Sequence, residues 1–312
     1  MRRDEVEGFA AATIAGRDGE LQATFVPGAG MVCCSLRHEG VELLARRHGV
    51  RAYAERGKTM GVPLLYPWAN RLAGPGYPGP GGPVVLRGDD PLLTRDPSGL
   101  PIHGALPGAL PWELLDAGAD GAAGELRARL RWEREELLAI FPWRHELELR
   151  ARVEGAALTI ATTVRASAEA GAPGVPVSFG FHPYLSPPEG ERSAWEVELP
   201  VGRRLLLDER MIPTGASEPF ENRRFALADS AWDDAFAGLT APQEFELTAG
   251  AMQIRLRLAD GWSNAQLYAP AGERFVCFEP MTAPANALRS GDGLRHVAPG
   301  ETFTASFAIA LA

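Results

Sequence analysis

Apolar and polar residues alternate with a period of two from one end of this chain to the other. In Leu126-Arg127-Ala128-Arg129-Leu130-Arg131-Trp132 and in Leu147-Glu148-Leu149-Arg150-Ala151-Arg152-Val153 every second side chain is apolar. A β-strand sends successive side chains to opposite faces, so the pattern describes strands with one buried and one wet face. The same reading predicts strands over 21–26, 31–37, 158–165, 195–199, 203–207, 252–258, 274–278 and 302–311, separated by clusters of Gly, Pro, Asp and Ser. No long segment has a helical period. Many strands without a regular strand-helix alternation imply antiparallel sheets packed face to face, an all-β fold of the large sandwich type.

The 312 residues fit one domain spanning 1–312, because β-sandwiches often exceed the usual domain length. No internal repeat or shift in composition marks a boundary. The stretch Gly74 to Pro83 (GPGYPGPGGP) is too rich in Pro and Gly for a strand interior and is expected to be a surface loop.

Composition excludes several function classes. A formal charge of -9 argues against nucleic acid as a partner, since phosphate binding needs a concentrated basic surface. No run approaches the length of a membrane-spanning helix, and Met1-Arg2-Arg3-Asp4-Glu5 is not the start of a signal peptide, so a cytoplasmic protein with no membrane partner is expected. Cys33, Cys34 and Cys277 lack metal or redox spacing and read as buried reduced thiols. Lys58 is the only lysine, which disfavours Schiff-base chemistry.

Three familiar signatures nearly match and fail. Arg56-Gly57-Lys58-Thr59 ends like a phosphate-cradling loop, but Ala52 stands where its first glycine belongs. Gly28-Ala29-Gly30 opens like a dinucleotide fingerprint, yet Cys33 occupies the third glycine position and strand-like alternation follows. Around Ser178 a nucleophile elbow would need glycine in place of Pro176.

Four other segments set polar residues among apolar, turn-rich neighbours. In Tyr66-Pro67-Trp68-Ala69-Asn70-Arg71 two donors follow an aromatic pair, a combination suited to sugars, whose hydroxyls take donors while their C–H face rests on a ring. For Arg71 taken alone a surface ion pair is the competing role. Ile102-His103-Gly104 and Phe179-Gly180-Phe181-His182-Pro183-Tyr184 each carry a histidine that is either a hydrogen-bonded structural residue or an oriented acid-base group. In Phe278-Glu279-Pro280-Met281 a carboxylate ends an apolar strand, where it either caps a turn or is desolvated into a useful base.

These segments, in this order, resemble the aldose 1-epimerase (galactose mutarotase) family. The resemblance rests on PWANR at 67–71, IHG at 102–104, GFHPYL at 180–185 and CFEPMTAPANAL at 277–288, and runs from Gly28-Ala29-Gly30 to Pro299-Gly300-Glu301. It implies an antiparallel β-supersandwich and the interconversion of α and β anomers of a free sugar. It implies His182 as the acid that protonates the ring oxygen and Glu279 as the base on the anomeric hydroxyl, two groups that flank the sugar ring. Arg71, His103 and, by the segment that holds it, Asn70 are implied as sugar-binding residues. In Trp232-Asp233-Asp234-Ala235-Phe236 the spacing to Phe236 makes Asp233 the implied sugar ligand, with Asp234 its rival. The reaction moves protons only, so no cofactor and no metal is expected. The expected partner is a small sugar, bound by a monomer or homodimer.

After Arg71 and after Glu279 the chain departs from the best-known galactose mutarotases and is similar to a branch carrying EPMTAP, which leaves the aldose open. Two other functions compete. One is a hexose-6-phosphate epimerase, with Arg203, Arg204, Arg223 and Arg224 as candidate phosphate ligands. The other is a carbohydrate-binding or sensing protein without turnover.

Overall fold

The computed structural model describes residues 2–221 and 223–312, Asp120 by its backbone alone. Strands form where the alternation predicts them: Leu21–Val26, Ala123–Trp132, His145–Glu154, Ala157–Ala166, Met252–Leu258 and Thr302–Leu311 among others. Along Ala123–Trp132, Leu126, Ala128, Leu130 and Trp132 are buried while Arg127 and Arg131 are exposed. The period of two has become an inside and an outside. On the outer side the charges pair across strands, as Arg127 with Glu148 at 3.1 Å and Arg255 with Glu246 at 2.9 Å.

Among the described residues every strand pair is antiparallel. Residues 2–42 form a five-stranded meander. A nine-stranded sheet runs in the order Glu113–Asp120, Ala123–Trp132, His145–Glu154, Ala157–Ala166, Thr302–Leu311, Met252–Leu258, Gln243–Ala249, Glu196–Glu198 and Arg224–Ala226. An eight-stranded sheet runs Pro213–Pro219, Arg203–Leu207, Trp232–Ala237, Asn264–Ala269, Val276–Met281, Gly180–Phe181 and Leu64–Leu65, with Tyr184–Leu185 also paired to Val276–Met281.

These two sheets share one core. Phe245 stacks on Phe278 (5.6 Å between ring centres), Phe307 meets Phe181 edge-on (4.9 Å) and Phe225 stacks on Trp232 (4.4 Å). Each such pair contributes roughly 0.5–1.5 kcal/mol beyond the area it buries. Once Phe278, Phe181 and Trp232 face the nine-stranded sheet, their neighbours Glu279, His182 and Asp233 turn the other way. Strand parity brings Glu279 and Asp233 to one face, and His182, just past the end of Gly180–Phe181, joins them there.

The expected loop at 74–83 is instead part of a hairpin, Gly76–Gly79 paired with Gly82–Val85, in which Pro78 lies opposite Pro83. A two-stranded ribbon consists of edges only, so prolines that would break an interior strand are tolerated there. The glycine of the failed phosphate motif serves instead as a helix stop. Gly57 (φ 64°) ends the helix Gly49–Arg56, its N–H bonded back to Tyr53 O. Cys33, Cys34 and Cys277 are free and buried, as expected. Among the described residues no helix is long and apolar enough to cross a membrane.

Candidate active site

On the face of the eight-stranded sheet turned away from the shared core lies a cavity of about 170 Å³, lined by Arg47, Thr59, Asn70, Arg71, Ile102, His103, His182, Tyr184, Asp233, Tyr268 and Glu279. Its size suits one small polar molecule rather than an oligosaccharide, being below the range typical of drug-sized ligands. All six residues singled out in the sequence (Glu279, His182, Arg71, His103, Asp233 and Asn70) border it.

The floor is the strand pair Asn264–Ala269 and Val276–Met281. Gln266 sits opposite Glu279 and Tyr268 opposite Asp233 in the ladders. Gln266 Nε2 donates to Asp233 Oδ1 at 2.6 Å, which fixes that carboxylate at the cavity edge. Asp234 points to the other face, where Arg204 reaches it at 3.1 Å. Of the two rival aspartates, Asp233 is the one in the cavity.

His182 lies in the short link between Gly180–Phe181 and Tyr184–Leu185. Two backbone bonds fasten that link to the segment before it in space, His182 N–H to Pro63 O (3.2 Å) and Tyr184 N–H to Gly61 O (2.8 Å). Nε2 of His182 is 3.2 Å from Oε1 of Glu279. The two groups are in direct contact rather than on opposite sides of the cavity.

Both groups are buried, Glu279 to 2% exposure and His182 to 5%. Burial pushes the Glu279 carboxyl well above its ordinary value, and Asp233 adds to this while Arg71 opposes it. Burial pushes His182 well below its ordinary value, and His103 and Arg47 act in the same direction. Burial thus favours the neutral form of each group, carboxylic acid and imidazole, a state with one proton on the pair.

The opposite wall comes from the two segments around Arg71 and His103. Arg71 bridges to Ile102, His103 N–H bonds Asn70 O at 3.0 Å, and Ala105 N–H bonds Tyr66 O at 2.8 Å. Gly104 makes this possible: at φ 72° it lies so close to Tyr66 that an added Cβ would stand 2.1 Å from the Tyr66 carbonyl oxygen. Asn70 (φ 56°) and His103 (φ 62°) both adopt the left-handed conformation that non-glycine residues rarely take. Asn70 Oδ1 accepts from the Arg71 backbone N–H (2.9 Å) and from Nη1 (3.1 Å), leaving its NH₂ as a donor.

Arg71 is in an ion pair, but not a surface one. Its Nε donates to Asp96 Oδ2 at 2.7 Å, and Asp96 is held in turn by Ser98 and by the Leu100 N–H. Burial raises the Asp96 carboxyl, yet the hydrogen bonds from Ser98, Arg71 and Leu100 outweigh it and hold it below its ordinary value. His103 is pushed down to about 3 by burial and by Arg71. It is a neutral imidazole beside a cation.

The histidines separate by their second nitrogens. His145 has both satisfied, Nδ1 donating to Trp143 O at 2.6 Å and Nε2 accepting from the Tyr66 hydroxyl. His103 and His182 have Nδ1 buried without a partner among the described residues. An unpaired buried polar atom costs roughly 1–3 kcal/mol.

Other expectations require correction. Tyr66 and Trp68 are 2% and 0% exposed, packed in the core, and do not form the sugar platform read from the sequence. The cavity's aromatic walls are Tyr184 and Tyr268. Arg203 bonds Ser217, Arg204 bonds Glu218 and Asp234, and Arg224 pairs with Glu196 and Glu198. None of these, nor Arg223, lines the cavity. Arg47 and Asp96 are not singled out by the sequence, and Thr59 only within the failed phosphate motif; Asp96 begins a D-P-S-G turn signal, whereas nothing local marks Arg47.

Comparison with known proteins bears on the fold and the family. The chain is similar in structure to a galactose mutarotase-like protein from Clostridium acetobutylicum (TM-score 0.85, 16% identity, covering 100% of this chain and 98% of that one). It is also similar to the Slr1438 protein from Synechocystis sp. PCC 6803 (0.76, 21%, 100% and 98%) and to galactose 1-epimerase from Lactobacillus acidophilus NCFM (0.77, 12%, 100% and 97%). At these identities the likeness is one of fold. No curated protein matches the sequence. The family model described as aldose 1-epimerase matches residues 17–310, and the chain belongs to that family.

Proposed function

We propose that this protein is a mutarotase: it interconverts the α and β anomers of a free aldose through Glu279 and His182, with Arg71, His103, Asp233 and Asn70 holding the sugar in one site of a single domain spanning the chain. The observation that carries this reading is the 3.2 Å contact between Nε2 of His182 and Oε1 of Glu279 inside a cavity of monosaccharide scale.

The proton account closes without any other reactant. With the shared proton on His182, the Glu279 carboxylate takes the proton of the anomeric hydroxyl while Nε2–H protonates the ring oxygen. The bond from C1 to the ring oxygen breaks and C1 becomes a carbonyl. The pair is left as carboxylic acid and neutral imidazole, the other form of the same one-proton state. Rotation about C1–C2 turns the opposite face of the carbonyl toward the hydroxyl; that oxygen then attacks, returning its proton to His182 as Glu279 returns one to O1. Matching of the two proton affinities is what such a cycle needs. Burial and Asp233 favour the carboxylic-acid form of Glu279, and Arg71 pulls the other way, toward the carboxylate that starts this half of the cycle.

A phosphorylated hexose gains no support from Arg203, Arg204 and Arg224, which are engaged on other surfaces. A binding protein without turnover has no use for a buried pair sharing one proton. The test is polarimetry or proton NMR on freshly dissolved α-sugars, including glucose, galactose and glucose 6-phosphate. Accelerated mutarotation of a free aldose is expected. Binding without acceleration across the panel would overturn the reading, and a strong preference for the phosphate would reassign the substrate.

A further inference from the structure

An imidazole that works as an acid is usually aimed through its second nitrogen, by a carbonyl or carboxylate on Nδ1. His182 lacks that partner among the described residues. What holds its ring is Tyr184, stacked on it with ring centres 4.4 Å apart and planes within 3°. Tyr268 and His103 meet it edge-on at 5.7 and 5.8 Å.

Tyr184 is itself gripped from behind. Its hydroxyl is 2.6 Å from Thr59 Oγ1 and 3.3 Å from His182 Nε2, and Arg47 Nη1 donates to it at 3.3 Å. The Arg47 guanidinium lies over the rings of Tyr184 (5.2 Å) and Phe275 (5.1 Å), and Phe275 packs edge-on against Tyr184 at 4.9 Å. Arg47 differs from its neighbour Arg46, which pairs with Glu7: among the described residues it has no carboxylate partner. Its backbone is also held in the left-handed region, at φ 43°. Nine non-glycine residues share that trait among those described, and three of them, Arg47, Asn70 and His103, line this one cavity. Such strain gathers where surrounding structure must fix a functional side chain.

We propose that Arg47 is a positioning residue for His182: it clamps Tyr184 against the imidazole, and its positive charge keeps the His182–Glu279 pair from taking up a second proton. The groups facing the imidazole are Glu279 at Nε2, Tyr184 on its face, His103 and Tyr268 at its edges and Arg47 behind Tyr184; Arg71 and Asp233 lie beyond, against Glu279. His103 is held neutral by burial. Arg47 is therefore the permanent cation on the imidazole side, two 3.3 Å contacts away through the Tyr184 hydroxyl. A unit charge at this range in a partly buried site shifts a neighbouring proton equilibrium by about one pH unit. The consequence for turnover is that the pair stays in its working one-proton state down to lower pH.

The role in turnover rests on His182 being the acid of the proposed reaction, so the deciding measurement is one that does not need turnover. In the full-length free protein, nitrogen-proton NMR follows the His182 ring through a pH titration. Arg47→Gln is expected to raise the pH at which a second proton enters the pair by about one unit, and Arg47→Lys, which keeps the charge, to restore it. Arg47→Met serves as a second neutral variant. If mutarotation is found, its acidic limb should move upward by the same amount in both neutral variants. An unmoved titration in Arg47→Gln and Arg47→Met would overturn the proposal, as would a rise in KM with no change in either pH curve, which would make Arg47 a sugar contact. Absence of mutarotation in the unaltered protein would sink the proposed function and leave the NMR result to decide this point.

Discussion

Nε2 of His182 and Oε1 of Glu279 stand 3.2 Å apart in a buried site, so the protonation of each side chain depends on that of the other. Residues that act as one unit give strongly non-additive losses. Glu279→Gln and His182→Asn should each lower kcat by roughly 10²–10⁴-fold, the range for a positioned acid or base. The double variant should be little worse than the more damaged single one. Circular dichroism and melting temperature check that the fold survives; losses that multiply would show that the two groups act separately.

Asp233 and Asp234 are adjacent in sequence and opposite in direction. Asp233 borders the cavity with Gln266 on its Oδ1, and Asp234 faces Arg204. Asp233→Asn should raise KM or lower kcat/KM by about ten-fold or more, the loss of one charged hydrogen bond to the sugar. Asp234→Asn, which breaks only a partly exposed ion pair, should leave kcat/KM unchanged. Equal effects from the two would remove Asp233 from the site.

The wall that carries Arg71 and His103 depends on Gly104. A methyl group there meets the Tyr66 carbonyl at 2.1 Å on a backbone with φ 72°, so Gly104→Ala should cost roughly 3 kcal/mol or more. Gly118, also in a strand, has no heavy atom within 4 Å of where its Cβ would stand, and Gly118→Ala should stay within about 0.5 kcal/mol. Denaturant unfolding compares them, and a tolerated Gly104→Ala would mean that the two segments are not packed as closely as described.

The strands were legible because one-sided burial leaves a period of two in residues such as Leu126 to Trp132. Their order was not. Thr302–Leu311 sits between Ala157–Ala166 and Met252–Leu258, a pairing across long stretches of chain that no local pattern encodes. The hairpin at Gly76–Val85 was hidden by prolines that an edge ribbon accepts. In the site, Glu279, His182, Arg71 and His103 were readable because each sits in a distinctive segment. Tyr66 and Trp68 misled: parity and packing decide whether an aromatic faces sugar or core, and here both face the core. Arg47 and Asp96 matter through what they touch, Tyr184 and Arg71, and such contacts exist only after folding.

His145 offers a test of burial itself, since it is buried and structural rather than part of the cavity. Burial pushes it down to about 4, against the opposing pull of the Trp143 carbonyl. The unfolded chain protonates this residue near its ordinary value of about 6.5, while the folded protein refuses the proton until about pH 4. Stability from this residue is therefore complete above pH 6.5 and lost as pH falls through that window, by roughly 1.4 kcal/mol per pH unit and about 3 kcal/mol in all. Glu279, whose value is raised, acts in the opposite sense and offsets His182, so the His145 contribution is best isolated by difference. The stability gap between the natural protein and His145→Gln, measured by urea unfolding, should be constant above pH 7 and narrow steadily from pH 6.5 to pH 4. A gap that does not change with pH would mean that His145 takes up its proton as readily in the folded protein as in the unfolded chain, and that burial does not hold the ring neutral.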